Sequence, residues 1–312
     1  MNSRALVVES LRRPRPLFGD KTAKTERLVR LTSGCHRRSV SGAALASMSY
    51  PVHVHLGSIR LHPHWVFETL AYFAGFRLYI WLRKRRGDAV EDSRRWWVIA
   101  AAAVGAAVGS RILYWLEDPR LTLAHWNDPG ALLGGKTIVG ALIGGLLAVE
   151  WAKKRMGIAR RTGDLFAVPL CIGIAIGRIG CFLTGLDDHT AGVATNLPWG
   201  VNFGDGMARH PTQLYETLFA LALGVFLWRR MRLAHAEGDT FKMFMVAYFS
   251  FRLLCDFLKP DVRVFAGLSS IQWACAAMLL YYSSDILRWS LGRDAASPEG
   301  RGLAGAPTHG EP

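Results

Sequence analysis

Seven apolar blocks decide what this chain can become. They fall at about residues 65–82, 96–116, 134–151, 165–183, 213–228, 242–258 and 268–286, with short polar segments between them. Each runs roughly 17–22 residues, enough for a helix to cross a hydrocarbon layer about 30 Å thick. One such block reads equally well as the core helix of a soluble protein. Seven in succession do not, so the sequence predicts an all-α fold: a polytopic membrane bundle of about seven transmembrane helices. The composition agrees, with 51% hydrophobic residues and 11 Trp among 312.

The formal net charge of +14 would suit a nucleic-acid binder. Its placement points to membrane orientation instead. Arg83, Lys84, Arg85, Arg86, Arg94 and Arg95 follow the first block. Lys153, Lys154, Arg155, Arg160 and Arg161 follow the third, Arg229, Arg230 and Arg232 the fifth, and Arg288 and Arg293 the seventh. The remaining connections carry few, chiefly Arg120, Arg209, Lys259 and Arg263. Basic loops stay in the cytoplasm. The expected topology has the N-terminus outside and the C-terminus inside, with 117–133, 184–212 and 259–267 facing outward.

Residues 1–47 break the pattern, with ten Lys/Arg against three Asp/Glu and no apolar run long enough to insert. They read as a targeting peptide or as sequence upstream of a start at Met48; either way a disordered basic extension is expected. The seven-helix membrane domain would then be 48–292. The Gly-, Ala- and Pro-rich tail 293–312 is expected to be disordered in the cytoplasm.

Cys35, Cys171, Cys181, Cys255 and Cys275 form no CxxC pair, so they are expected to act as small apolar residues. Glycines recur at i, i+4 in three blocks: Gly105/Gly109, Gly140/Gly144 and Gly173/Gly177. Such faces let helix backbones approach closely in lipid. The third block opens with Lys136 after two glycines, which suggests a broken or re-entrant outer end.

Several blocks hold ionisable groups that a bilayer tolerates only when paired or wet: Glu68, Arg111, Arg178, Glu216, Arg252 and Asp256, with Gln272 beside them. Arg252 and Asp256 share a helical face at i, i+4. Glu216 has Arg178 or Arg111 as candidate partners, and Glu68 has Arg111. Most of these groups fall in the outer half. One outward-opening polar cavity with apolar walls would account for them, and arginines there suit the phosphate of a phospholipid head group. The competing reading is an ion-pair network that only holds the bundle together.

GRIGCF at 177–182 followed by RHPTQLYE at 209–216 resembles prolipoprotein diacylglyceryl transferase. So do FRLLCDFLKPD at 251–261 and IQW at 271–273, and more weakly GSRILYWL at 109–116 and VGALIGG at 139–145. The resemblance spans about residues 60–286. It implies an enzyme of the bacterial cytoplasmic membrane that moves the diacylglyceryl group of phosphatidylglycerol onto the lipobox cysteine thiol of a preprolipoprotein. Glycerol-1-phosphate leaves, and no metal or cofactor is required. The implied partners are that lipid, the lipobox segment and the bilayer, with no nucleic acid. By the same resemblance, Arg178 and Arg252 hold the phosphate and leaving group, Asp256 orients Arg252, and His210 is a candidate proton acceptor. Gln213, Tyr215, Glu216, Gln272 and Arg111 are expected to contact substrate.

The chain departs from the family pattern at telling positions. GRxGNFxNxExxG is usual, and here Cys181 and Thr184 stand at the asparagines and Leu186 at the acid. Val139 stands where HGGLIG has its histidine, and Glu68 aligns with a tyrosine of the first span. The proton acceptor is therefore open among His210, His189 and Glu68, or is no residue at all if the arginines alone acidify the incoming thiol. Three functions follow: the family's own reaction, the same phospholipid site with another acceptor, or a non-catalytic lipid-binding protein.

Overall fold

In the computed structural model, residues 50–88, 90–233 and 236–292 are described. The expectations for 1–47 and 293–312 lie outside them. Among the described residues each of the seven apolar blocks lies on helix. Helix α1 is Pro63–Arg86 and α2 is Asp92–Glu117. Two short helices follow, α3 Pro119–Ala124 and α4 Pro129–Gly134. Then come α5 Ile138–Arg155, α6 Asp164–Thr184, α7 Thr212–Arg230, α8 Asp239–Cys255, α9 Ser270–Tyr281 and α10 Ser283–Ser290. Single 3-10 turns, Gly185–Asp188 and Asp256–Leu258, extend α6 and α8. The strands among the described residues are four short pieces in two antiparallel hairpins: β1 Val54–Leu56 with β2 Ile59–Leu61, and β3 Val201–Asn202 with β4 Ala208–Arg209.

Local chemistry sets the boundaries. Pro63 opens α1, where its missing N–H costs nothing, and Gly87 closes it at φ 77°. The third apolar block does break near its start. Its first residue, Gly134, ends α4, and α5 starts only after Thr137, whose hydroxyl accepts from Gly140 N at 3.1 Å. The seventh block is not one continuous helix. It parts at Tyr282 into α9 and α10, where YYSSD turns the sequence polar and Asp285 takes Lys242 at 2.6 Å.

By length and hydropathy two segments qualify as membrane-crossing: Asp92–Glu117, with mean hydropathy 1.6, and Asp164–Asp188, with 2.0. Helices α8 and α9 are shorter, at 17 and 12 residues. The surface nonetheless carries large apolar side chains in stripes. On α2, Val104, Val108, Ile112 and Leu116 are all exposed at four-residue spacing.

The glycines sit on a neighbouring face of α2, one residue on from Val104 and Val108. A Cβ on Gly105 would overlap the Gly144 carbonyl, and one on Gly109 the Gly140 carbonyl. Helices α2 and α5 therefore meet backbone to backbone. Gly173 and Gly177 do not repeat this. A Cβ on Gly173 would find Ala71 O at an ordinary 3.6 Å, and one on Gly177 nothing within 4 Å. On α6 the close approach is at Gly180, against Phe67 of α1. The core between α6, α7 and α8 is sealed by Cys171, Leu227, Phe244, Met245 and Phe249, all fully buried. Phe219 and Phe251 stack at 4.2 Å between α7 and α8.

The basic connections collect together. Asp88 accepts from Arg83 Nε at 2.7 Å and Arg95 Nε at 2.6 Å. Arg86 donates to Met231 O at 2.6 Å, which ties the α1–α2 turn to the end of α7. Arg95 reaches Thr162 O at 3.4 Å, and Asp164 accepts from Gly238 N at 2.7 Å. The α1–α2, α5–α6 and α7–α8 connections thus share one end of the bundle.

Candidate active site

At the ends of α6 and α8 and the start of α7, the chain buries a charged cluster. Glu216 is its hub. Its Oε2 stands 2.9 Å from Arg178 Nε and 3.7 Å from Arg252 Nη1, while Oε1 accepts from Tyr248 Oη at 2.6 Å. Arg252 Nη2 donates to Asp256 Oδ1 at 3.3 Å, as the i, i+4 spacing suggested. Asp256 Oδ2 accepts from the Ser269 hydroxyl. Glu216 and Asp256 keep 1% and 0% of their surface, and Arg178 and Arg252 7% and 3%, so solvent does little of the pairing.

The pairing is incomplete. Two guanidiniums share one carboxylate, and Arg252 Nε and Nη1 have no hydrogen-bond partner. Arg178 Nε lies close to Glu216 without the alignment of a hydrogen bond. Gln213, also buried, leaves both atoms of its amide unmet. A buried donor left unmade costs about 1–3 kcal/mol, and more when it is charged. Several such donors around two arginines have the chemistry to take a multidentate anion.

The loop after α8 adds groups that sequence reasoning passed over. Lys259 is buried, and burial, with Arg252 and Arg178 near it, holds its ammonium below the usual lysine range. Burial first, and the Asp256 carboxylate second, push Asp261 up to about 6. Arg263 donates to Gln272 Oε1 at 2.6 Å and to Asp256 O at 3.2 Å. Tyr248 could have been found: it lies four residues before Arg252 on the same helical face.

Other predicted residues stand differently. Gln272 is fully used. Its Oε1 also accepts from Ser269 N at 3.0 Å, closing a capping box with Ser269, and its Nε2 donates to Leu253 O at 3.2 Å. His210 Nδ1 lies 3.2 Å from Tyr215 Oη, which also accepts from Trp199 Nε1 at 2.8 Å. Backbone bonds from Val193 N to Leu258 O (2.8 Å) and His210 N to Val193 O (3.1 Å) sew this loop onto the end of α8. Arg111 pairs with neither Glu216 nor Glu68. Its Nη1 donates to the carbonyls of Leu133 and Gly135, which hold the α4–α5 break. Glu68 takes Lys136 instead, with Tyr72 Oη at 3.1 Å. Val139 is buried in the apolar core.

A second constellation went unforeseen. His64 at the start of α1, Cys181 in the last turn of α6 and Asp188 in the following turn bring one ligand atom each within 4.8 Å of one another. His64 Nδ1 is 2.9 Å from Asp188 Oδ1, and Arg178 Nη1 donates to Cys181 Sγ at 3.8 Å. Cys181 therefore does more than fill apolar space. No local spacing joins position 64 to positions 181 and 188, so no motif points to it.

Comparison with known proteins places this geometry. The family model for prolipoprotein diacylglyceryl transferase matches residues 51–284. A phosphatidylglycerol–prolipoprotein diacylglyceryl transferase of Methylobacillus flagellatus is 31% identical over 258 residues, which cover 74% of this chain and 92% of the relative. One from Pseudomonas aeruginosa PAO1 is 31% identical over 232 residues, 70% of this chain and 82% of the relative. One from Cupriavidus metallidurans is 31% identical over 258 residues, 74% of this chain and 89% of the relative. With its membrane family and its helical architecture, the protein is an all-α membrane protein. The matched region takes in the Glu216 cluster, the apolar helices around it and nearly all of the described chain, and this chain belongs to the prolipoprotein diacylglyceryl transferase family.

Proposed function

We propose that this protein transfers the diacylglyceryl group of phosphatidylglycerol to the lipobox cysteine thiol of a preprolipoprotein and releases glycerol-1-phosphate. The observation that carries the reading is Glu216, one buried carboxylate between two buried arginines whose donors are only partly met. The thiolate attacks the glyceryl carbon that bears the phosphate ester. The C–O bond breaks, and its electron pair goes to the phosphate oxygen. Arg178 and Arg252 hold the phosphate and balance the charge gathering on it, which is the electrostatic part of catalysis. Glu216 and Asp256 set the two guanidiniums, and Gln213 offers its free amide to the same anion. His210, in the loop before α7, and Tyr215, in its first turn, border the approach, with Gln272 as the brace behind Arg263.

The protein is read as seven spans in the bacterial cytoplasmic membrane, with this site opening to the outer side. The gathering of the three basic connections at one end supports that orientation. Val139 favours a second reading, the same lipid site with a different acceptor, because an apolar residue stands where the family pattern has a histidine.

The test is direct. Protein in detergent is incubated with phosphatidylglycerol and a lipobox peptide, and mass spectrometry looks for the diacylglyceryl thioether. Product from the parent and none from Arg178→Ala or Arg252→Ala supports the transferase. A folded, lipid-binding parent that makes no product moves the assignment to the other acceptor.

A further inference from the structure

We infer that His64, Cys181 and Asp188 form a zinc site that binds the acceptor thiol as a thiolate. The inference rests on the transferase reading for its purpose, though not for its geometry. The three side chains offer nitrogen, sulfur and oxygen, the donor set that zinc takes. Around a tetrahedral zinc ion such donors stand about 3.3–3.6 Å apart, from Zn–N and Zn–O near 2.0–2.2 Å and Zn–S near 2.3 Å. The three ligand atoms already lie within 4.8 Å of one another, from the start of α1 and from the end of α6 with the 3-10 turn that extends it. Three protein ligands leave the fourth position open, as catalytic zinc sites do.

The surroundings are those of a metal site. A ligating histidine commonly turns its second nitrogen to a carboxylate. Here His64 Nε2 lies 3.5 Å from Glu68 Oε2, and Glu68 is itself held by Lys136 and by Tyr72 Oη. Asp188 presents Oδ1 to the site while Oδ2 accepts from the Thr190 hydroxyl at 2.6 Å. Charge also balances. The Cys181 thiolate and the Asp188 carboxylate match the two charges of the ion. The charge of an incoming thiolate then falls beside Arg178, whose Nη1 is 3.8 Å from Cys181 Sγ.

The chemistry fills the gap left by Val139. A thiol bound to zinc loses its proton outright, so no histidine is needed to take it. The acceptor RSH gives its proton to water and binds as RS⁻. Its sulfur attacks the glyceryl carbon, the carbon–oxygen bond breaks, and glycerol-1-phosphate departs with the electron pair. The zinc ion is unchanged. An ion on Cys181 sits within about 6 Å of the Arg178 guanidinium tip, so nucleophile and leaving phosphate occupy neighbouring positions.

The experiment uses the full chain in detergent, purified without a polyhistidine tag. Zinc is counted by mass spectrometry after dialysis against a weak chelator. One equivalent in the parent, with little in Cys181→Ser or Asp188→Asn, is the expected result. Cobalt substitution should give a thiolate-to-cobalt charge-transfer band that Cys181→Ser abolishes. The band should grow when a lipobox peptide is added, but not when its cysteine is replaced by serine. Stripping the metal should stop thioether formation, and one equivalent of zinc should restore it. A folded parent without zinc, or metal-free protein that forms thioether at the full rate, overturns the proposal. Cys181→Asn, the residue usual in the family, serves if the serine variant misfolds; zinc retained there also overturns it. Zinc bound with the sulfur band present, but no thioether formed from phosphatidylglycerol, counts against the transferase reading and leaves the metal site standing.

Discussion

Two of the arginine–carboxylate clusters among the described residues are built to different rules. Where the basic connections meet, Asp88 accepts from both Arg83 and Arg95, and Arg95 also reaches Thr162 O. Among the described residues, none of the polar atoms of Arg83, Arg95 or Asp88 is buried without a partner. At the other cluster one carboxylate, Glu216, serves Arg178 and Arg252 together, and several donors stay unmet. The first cluster is finished when the chain folds. The second keeps unmet donors that, on the function proposed above, the lipid phosphate would complete.

The strongest way to break this contrast is Glu216→Gln. It leaves Arg178 without its carboxylate and Arg252 with Asp256 alone, a loss on the order of 3–5 kcal/mol. Thioether formation should vanish and the melting temperature in detergent should drop sharply. A variant that keeps its activity would make the cluster a brace after all. Arg252→Lys is next. It keeps the charge but loses the planar fork, so the rate should fall about 100- to 1,000-fold. Arg95→Lys, its counterpart in the finished cluster, should lower the melting temperature and leave the rate of the folded protein unchanged.

Ligand response should sharpen the contrast further. Glycerol-1-phosphate should raise the melting temperature of the parent and compete with phosphatidylglycerol, because only the folded site binds it. That shift should disappear in Arg178→Ala and persist in Arg83→Ala. The smallest effect is in pH, where the two regions slope oppositely. Burial would raise Asp88, but Arg95 and Arg83 hold its carboxyl below the usual range. Its stabilisation is complete above the unfolded value near 4 and is lost as pH falls through the folded one. Asp261 is pushed up to about 6. Its contribution is complete below about 4 and is lost as pH rises through about 6. Melting curves against pH should show Asp88→Asn removing the acid-side loss and Asp261→Asn removing the loss between about pH 4 and 6.

The helices were legible because long apolar runs permit little else, and the Arg252–Asp256 pair because a helix repeats every 3.6 residues. The glycines of α2 and α5 were legible for the same reason. Their twins at 173 and 177 misled, since spacing says that a face is small but not that a helix lies against it. The break at Tyr282 was hidden by YY, two residues as welcome in a span as at its edge. Lys259 and Asp261 read as ordinary loop charges, because burial in a loop follows from what packs over it. His64, Cys181 and Asp188 meet only through the packing of α1 on α6, and no local pattern encodes that.

The backbone contact between α2 and α5 also sets how each helix can vary over evolutionary time. On one face, Gly105 and Gly109 press against Gly144 and Gly140 with no space for even a methyl group. Drift there is confined to a single letter. On the other face Val104, Val108, Ile112 and Leu116 look outward, where any apolar side chain of any shape serves. One helix thus carries a frozen text and a free one at the same four-residue interval, offset by a fraction of a turn.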